Sequence, residues 1–301
     1  PARMQGYHEA ENLVRGKMAT EKISPGISTF RPQVFLIGAA CFCLVIASVV
    51  AIRHFVLHPA TLSQGWFNPF DAEITTYVNQ LGNRYPWLNS VESIVLYHNI
   101  LRNGPIVFFL LLAFFPRTGS AAEILEKRRK IAAAVSLALF GIVLARVLAL
   151  VLPFRERPLR TAALHFQLPH IIRSSLLYGW SSFPSDNAVL LVALATGLLF
   201  VSRPLGTIAL VYTFAVDLFL RVYMGFHWPT DLLAGAAIGV ALASIVSIKT
   251  YRDSVWRLVM RCWQYSPGLS AVFVLFLSYE IVDMFEGPLV LAKALLKQHL
   301  K

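Results

Sequence analysis

The sequence predicts an all-α membrane protein, a polytopic helical bundle with six core transmembrane helices and one C-terminal segment whose placement it leaves open. Three observations lead there. Hydrophobic residues make up 56% of the 301 residues and charged ones 14%, against about 45–50% and about 25% in soluble globular chains. Apolar runs long enough to cross a bilayer core, which takes about twenty residues, recur along the chain. The basic residues behind the formal net charge of +11 bunch beside those runs. They do not form a stripe interleaved with aromatics, so they read as membrane orientation, and nucleic acid is excluded as a partner.

Residues 1–32 are polar and punctuated by glycine and proline, and read as a cytoplasmic tail. Residues 33–248 read as the six-span membrane domain, with the first span from Gln33 to Val56. Trp66, Phe67, Phe70 and Trp87 follow in a mixed aromatic and polar stretch suited to the membrane interface. The second span has an apolar half, Ile106 to Phe115. It reaches full length only by extending back to Ile94, which brings in His98, Asn99 and Arg102. Such polar groups should face protein, lining a cleft or bonding between helices.

The third span runs from Ile131 to Pro153 and the fourth from Ala188 to Val201, starting inside the Pro184 to Asn187 turn. The fifth covers Gly206 to Met224, with Asp217 four residues before Arg221 as a buried ion pair, and the sixth covers Asp231 to Ile248. Residues 249–301 hold a basic segment and a last apolar stretch, Leu269 to Met284, that contains Glu280 and Asp283. Three readings stay open for it: a seventh span, a re-entrant piece or an interfacial helix. Cys41, Cys43 and Cys262 define no disulfide framework and no metal site.

Orientation follows from lysine and arginine placement. The tail, the loop holding Arg117 and Lys127 to Lys130, and the stretch from Lys249 to Arg261 fall on one side of a six-span bundle, which should be cytoplasmic. The connection from Phe154 to Asn187 falls on the other side, yet carries Arg155, Arg157, Arg160 and Arg173. An arginine cluster where topology disfavours it points to an anionic ligand. Three pieces converge there: Arg157-Pro158, the run Ser182 to Asn187, and Arg221 with His227 and Asp231.

In order and spacing these pieces resemble the type 2 phosphatidic acid phosphatase (PAP2) superfamily of membrane lipid phosphatases, whose motifs are K-x6-R-P, P-S-G-H and S-R-x5-H-x3-D. The resemblance covers roughly residues 94–248 and is closest in the third motif, Arg221, His227 and Asp231. It implies hydrolysis of a lipid phosphate or diphosphate, such as a polyprenyl diphosphate, at the outer face of a bacterial plasma membrane. His227 would be the nucleophile that forms a phosphohistidine, and Asp231 its orienting partner. Neither metal nor other cofactor is implied. A phosphoryl group in transfer spreads negative charge over its oxygens, which calls for fixed cations and backbone N–H groups. Arg157, Arg221 and the amides near Ser185 and Asp186, at a helix start, suit that task.

Departures from the pattern bear on the chemistry. The family lysine falls at Leu150, so Arg146 or Arg155 would have to bind phosphate in its stead, and Leu220 replaces the serine before Arg221. Most consequentially, the P-S-G-H histidine is Asn187, and asparagine cannot pass a proton to a leaving oxygen at neutral pH. His165 and His170 lie in the same connection as substitute acids. Two alternatives follow: a lipid-linked phosphotransferase, and a catalytically impaired protein that binds lipid phosphate.

Overall fold

The structure, a computed structural model, describes residues 69–166 and 181–285. The expected tail and first span lie outside the described residues, as do His170 and Arg173. Helix is the regular secondary structure throughout, and no strand occurs among the described residues.

The chain enters through α1 (Pro69–Arg84), α2 (Trp87–Tyr97), the short α3 (Asn99–Arg102) and α4 (Gly104–Phe114). The second predicted span is thus broken. His98 leaves helical geometry at φ −119° and ψ 87°, and α4 starts afresh after Asn103 with Pro105 in its first turn, where a missing N–H costs nothing. The polar residues at the break bond between helices. Asn99 Nδ2 donates to Asp283 Oδ1 at 2.8 Å, Asn103 Nδ2 to the Val282 carbonyl at 2.8 Å, and Arg102 Nε lies 3.6 Å from Asp217 Oδ1.

Next comes α5 (Ala121–Val151), started by a capping box in which Ser120 Oγ accepts from the Glu123 amide and Glu123 Oε2 accepts from that of Ser120. At 31 residues it runs about 46 Å at 1.5 Å per residue, beyond a hydrocarbon core of about 30 Å. Its first turns, with Glu126 to Lys130, therefore project past the apolar part. It ends at Leu152, whose extended backbone (ψ 156°) is the geometry demanded by the following Pro153.

The bundle is organised around α6 (Asp186–Leu199), in which every residue from Asn187 to Leu198 is buried. A helix apolar on all sides belongs inside other helices. α6 packs most extensively against α8 (Pro229–Ser244) and α5, then against α7 (Arg203–Tyr223). At 14 residues it is too short to cross the core alone, at about 21 Å, but its neighbours shield it from lipid. Three helices are individually long and apolar enough to cross a membrane: α5, α7 and α8, the last extended by a turn to Ser247. The six expected spans are represented among the described residues by these three and by the shorter α4 and α6. The chain is an integral membrane protein.

Within α7, residues Thr213–Leu218 form a π-helical stretch, a local widening common near functional sites. It carries Asp217, which accepts from Arg221 Nε at 2.9 Å, the buried pair expected from their spacing. α9 (Lys249–Tyr265) buries none of its residues and docks its first turns on the start of α5, through Arg252–Glu126 at 2.9 Å and Arg129–Asp253 at 3.2 Å. These basic segments therefore lie at the end of α5 opposite Arg155 and Arg157. α10 (Pro267–Asp283) exposes Leu269, Val272, Phe273, Leu275 and Phe276, a face for lipid to cover, and anchors its C-terminal end on α3 and α4.

Close approach of α6 and α8 depends on two glycines one turn apart. A Cβ at Gly235 would stand 2.5 Å from the Ser185 carbonyl oxygen, and one at Gly239 would stand 2.8 Å from that of Val189. Such small-residue spacing lets helix backbones meet where lipid offers no hydrophobic drive. Gly235→Val should therefore cost at least the roughly 1–3 kcal/mol typical of overpacking and lower the melting temperature in detergent. The same change at Ala237, exposed on the same helix, should leave melting nearly unchanged.

Candidate active site

Three loop segments meet at the end of the bundle where α6 and α8 begin. Backbone hydrogen bonds tie them: Ser182 N to the Arg155 carbonyl at 2.9 Å, Ser185 N to that of Asp231 at 3.2 Å, and Leu159 N to that of Gly225 at 3.0 Å. Gly225 has φ 66°, and a side chain there would press on Leu159 N at 2.8 Å, so the turn that presents His227 requires glycine. The indole of Trp228 closes the same junction by donating to the Glu156 carbonyl at 2.8 Å.

His227 is buried. Its Nδ1 lies 2.8 Å from the Ser182 carbonyl oxygen and 3.7 Å from Asp231 Oδ2. A carbonyl only accepts, so Nδ1 carries the proton and Nε2 keeps its lone pair. The expected partner, Asp231, acts electrostatically from beyond hydrogen-bond distance, and the backbone of Ser182 fixes the tautomer. Burial lowers the imidazole pKa below its ordinary 6.5, and the cations of Arg157 and Arg221 push the same way against Asp231. The neutral ring is thus the resting form at pH 7.

Arg157 faces the free nitrogen, with Nη1 3.4 Å from His227 Nε2 and donating to the Phe226 carbonyl at 2.6 Å. Its buried Nε has no hydrogen-bond partner, and no carboxylate lies within ion-pair distance of it among the described residues. Burial lowers its pKa to about 10, which leaves it cationic at neutral pH.

The other arginines are paired. Arg155 is clamped between two carboxylates, with Nη1 2.5 Å from Asp231 Oδ1 and Nη2 2.6 Å from Asp71 Oδ2. Asp71, on the first turn of α1, also accepts from the Thr230 amide at 3.0 Å and from the Thr230 hydroxyl. Arg155, expected to bind phosphate in place of the missing lysine, is a fixed counter-ion to two carboxylates in this structure. Arg146 Nε lies 3.3 Å from Asp186 Oδ2, and Arg146 Nη2 donates to the Met284 carbonyl at 3.1 Å. Arg221 holds Asp217 with one edge and donates from Nη2 to Asn187 Oδ1 at 2.6 Å.

The start of α6 is satisfied from within. Ser185 Oγ accepts from the Ala188 amide at 3.4 Å, and Asp186 Oδ1 accepts from the Asn187 amide at 2.9 Å and from Asn187 Nδ2 at 3.0 Å. Expected as phosphate-binding amides, this turn instead carries the Asp186 carboxylate over its N-terminus. Asn187 uses both ends of its side chain, and His165 is exposed at the end of a 3-10 turn.

Residues 129–254, which include Arg157, Arg221, His227 and Asp231, match the family model of the PAP2 superfamily. Over these residues, a little under half of the chain, the sequence is similar to the PAP2 superfamily. A relative is the bacitracin transport permease protein BcrC of Bacillus licheniformis, 26% identical over 185 residues, or 60% of this chain and 80% of that protein. No solved structure matches.

The PAP2 pattern left Asp71 and the backbone role of Ser182 unseen. Asp71 precedes the matched stretch, and Ser182 contributes a backbone oxygen that any residue could supply. Both carboxylates on Arg155 have buried side chains, and losing the shared cation would leave them unpaired. Arg155→Met should destabilise the protein by about 3–5 kcal/mol, read from detergent-phase unfolding. Adding Asp71→Asn to Arg155→Met should recover part of that loss, whereas strictly additive losses would mean that the two residues do not interact.

Proposed function

We propose that this chain is a membrane lipid phosphatase that moves a phosphoryl group from a lipid phosphate or diphosphate onto His227 and then onto water. The observation that carries the reading is the unprotonated Nε2 of His227 beside the unpaired cation of Arg157. In the first step Nε2 attacks phosphorus, and the bond to the leaving oxygen breaks with its electron pair going to that oxygen. Arg157 stabilises the charge on the equatorial oxygens, with Arg221 behind it. In the second step water attacks phosphorus, the N–P bond breaks, and inorganic phosphate leaves. Nδ1 keeps its proton on the Ser182 carbonyl throughout, so the ring needs no reorientation between steps.

Residues 33–248 would form the catalytic domain, with the site on the outer face of the membrane, since the basic ends of α5 and α9 lie at the other end of the bundle. The lipid tail would stay in the bilayer while the phosphate reaches the junction of α6 and α8. Asn187 favours diphosphates among the substrates. A lipid alkoxide needs a proton as it leaves, whereas the phosphate released from a diphosphate is already a stable anion, and general acid catalysis is worth about 10²–10⁴-fold.

His227→Ala should lower phosphate release by more than about a thousandfold, because a covalent route has no replacement for its nucleophile. The active protein should yield an acid-labile, base-stable phosphoryl adduct on His227, and unchanged turnover by the variant would remove the mechanism. The pH profile gives a separate check. Catalysis needs neutral His227, whose pKa is lowered, so kcat/KM should hold as pH falls to about 6.5 and decline only below it. Asn187→His should raise turnover of a lipid monophosphate by more than that of a diphosphate. Equal gains would mean that position 187 takes no part in proton transfer.

A further inference from the structure

The family resemblance puts glycine where this chain has Asp186, so a carboxylate stands on the turn that begins α6. Asp186 Oδ1 occupies the amide and side chain of Asn187, while Oδ2 lies 3.3 Å from Arg146 Nε. Its side chain is 28% exposed, in contrast to the fully buried side chains of Asp71, Asp217 and Asp231. The charged and titratable groups acting on Asp186 come from each element around it: Arg146 on α5, Arg157 in the connecting loop, Arg221 on α7 and His227 before α8. Three of these, Arg157, Arg221 and His227, are the groups assigned above to the phosphoryl group. Asp231 faces the same His227 from α8.

We propose that Asp186 is a charge-selecting residue: its carboxylate stands beside the phosphoryl position and admits a singly charged phosphoryl group in preference to a doubly charged one. The inference rests on the reading of this site as a phosphate site. A fixed negative charge beside a bound anion opposes it by Coulomb repulsion, which is appreciable at contact distance even in a partly hydrated site. The opposition grows with the charge of the ligand, so it discriminates between the two ionisation states of phosphate. The same carboxylate offsets the charge of Arg146, which also bonds the Met284 carbonyl. A neutral residue at this position would remove the repulsion and leave the Arg146 cation without its ion-pair partner.

Inorganic phosphate is the probe. Its binding to the purified full chain, measured by calorimetry across its second ionisation, should weaken for the native protein as pH rises. Asp186→Asn should bind phosphate at least about tenfold more tightly at the alkaline end and show a flatter pH dependence. Asp186→Gly, which also removes the contact with Asn187, should behave in the same way. Its agreement with Asp186→Asn separates the charge from any change of shape. His227 has its pKa lowered by burial, and loss of the Asp186 charge lowers it further, so the ring stays neutral in all three proteins across this range. Equal affinities and parallel pH profiles in native protein and both variants would overturn the charge selection while leaving the phosphate site intact. Absence of phosphate binding in all three would instead overturn the site reading on which the inference depends. A melting temperature retained by either variant suffices to make the comparison.

Discussion

A guanidinium buried between two carboxylates holds this end of the protein together. Arg155 joins Asp71 on α1 to Asp231 on the first turn of α8, and its own backbone is bonded to Ser181 and Ser182 just before α6. One residue therefore ties three chain segments that are far apart in sequence. Burial makes the arrangement stringent, because any member left alone would be an uncompensated charge inside the protein. Asp231 serves twice more, accepting from the Trp228 amide at 2.9 Å and offering its backbone carbonyl to Ser185. The turn carrying His227 and the start of α6 are referred to the same residue.

From that fixed frame the differences among the arginines follow. All are cations in sequence, but the structure divides them by what already neutralises them. Arg155 has two carboxylates, Arg221 has Asp217, Arg146 has Asp186, and Arg157 alone among these four has carbonyl oxygen and a histidine ring in place of an acid. Attraction for an incoming anion is therefore concentrated at one guanidinium, adjacent to the ring nitrogen that has a lone pair to give.

Composition and run length were enough to read the all-helical membrane class, and the order of the motifs was enough to bring His227, Arg221 and Arg157 to one end of the bundle. The Asp217–Arg221 pair was readable from a spacing of four on a helix. The partner of Nδ1 was not, because a backbone carbonyl carries no residue signature. Nor was the fate of Arg155, since its first carboxylate, Asp71, sits 84 residues away in a stretch that reads as interfacial. The break at His98 and Asn103 was visible only as polar residues in an apolar span, and hydropathy alone does not tell a kinked helix from three short ones. The amides near Ser185 and Asp186 were readable as a helix start, but not that the Ser185 hydroxyl and the Asp186 carboxylate would accept from the amides of Ala188 and Asn187.

The complete enclosure of α6 has a consequence for how the protein meets different membranes. Helices that touch lipid adjust their tilt to the thickness of the bilayer. α6 touches none, being encased by α5, α7 and α8 over its whole length, so Ser185, Asp186 and Asn187 take their height from protein packing alone. Acyl chain length can tilt the outer helices without raising or lowering this turn. The chemistry is thereby insulated from the mechanics of the bilayer in which it works.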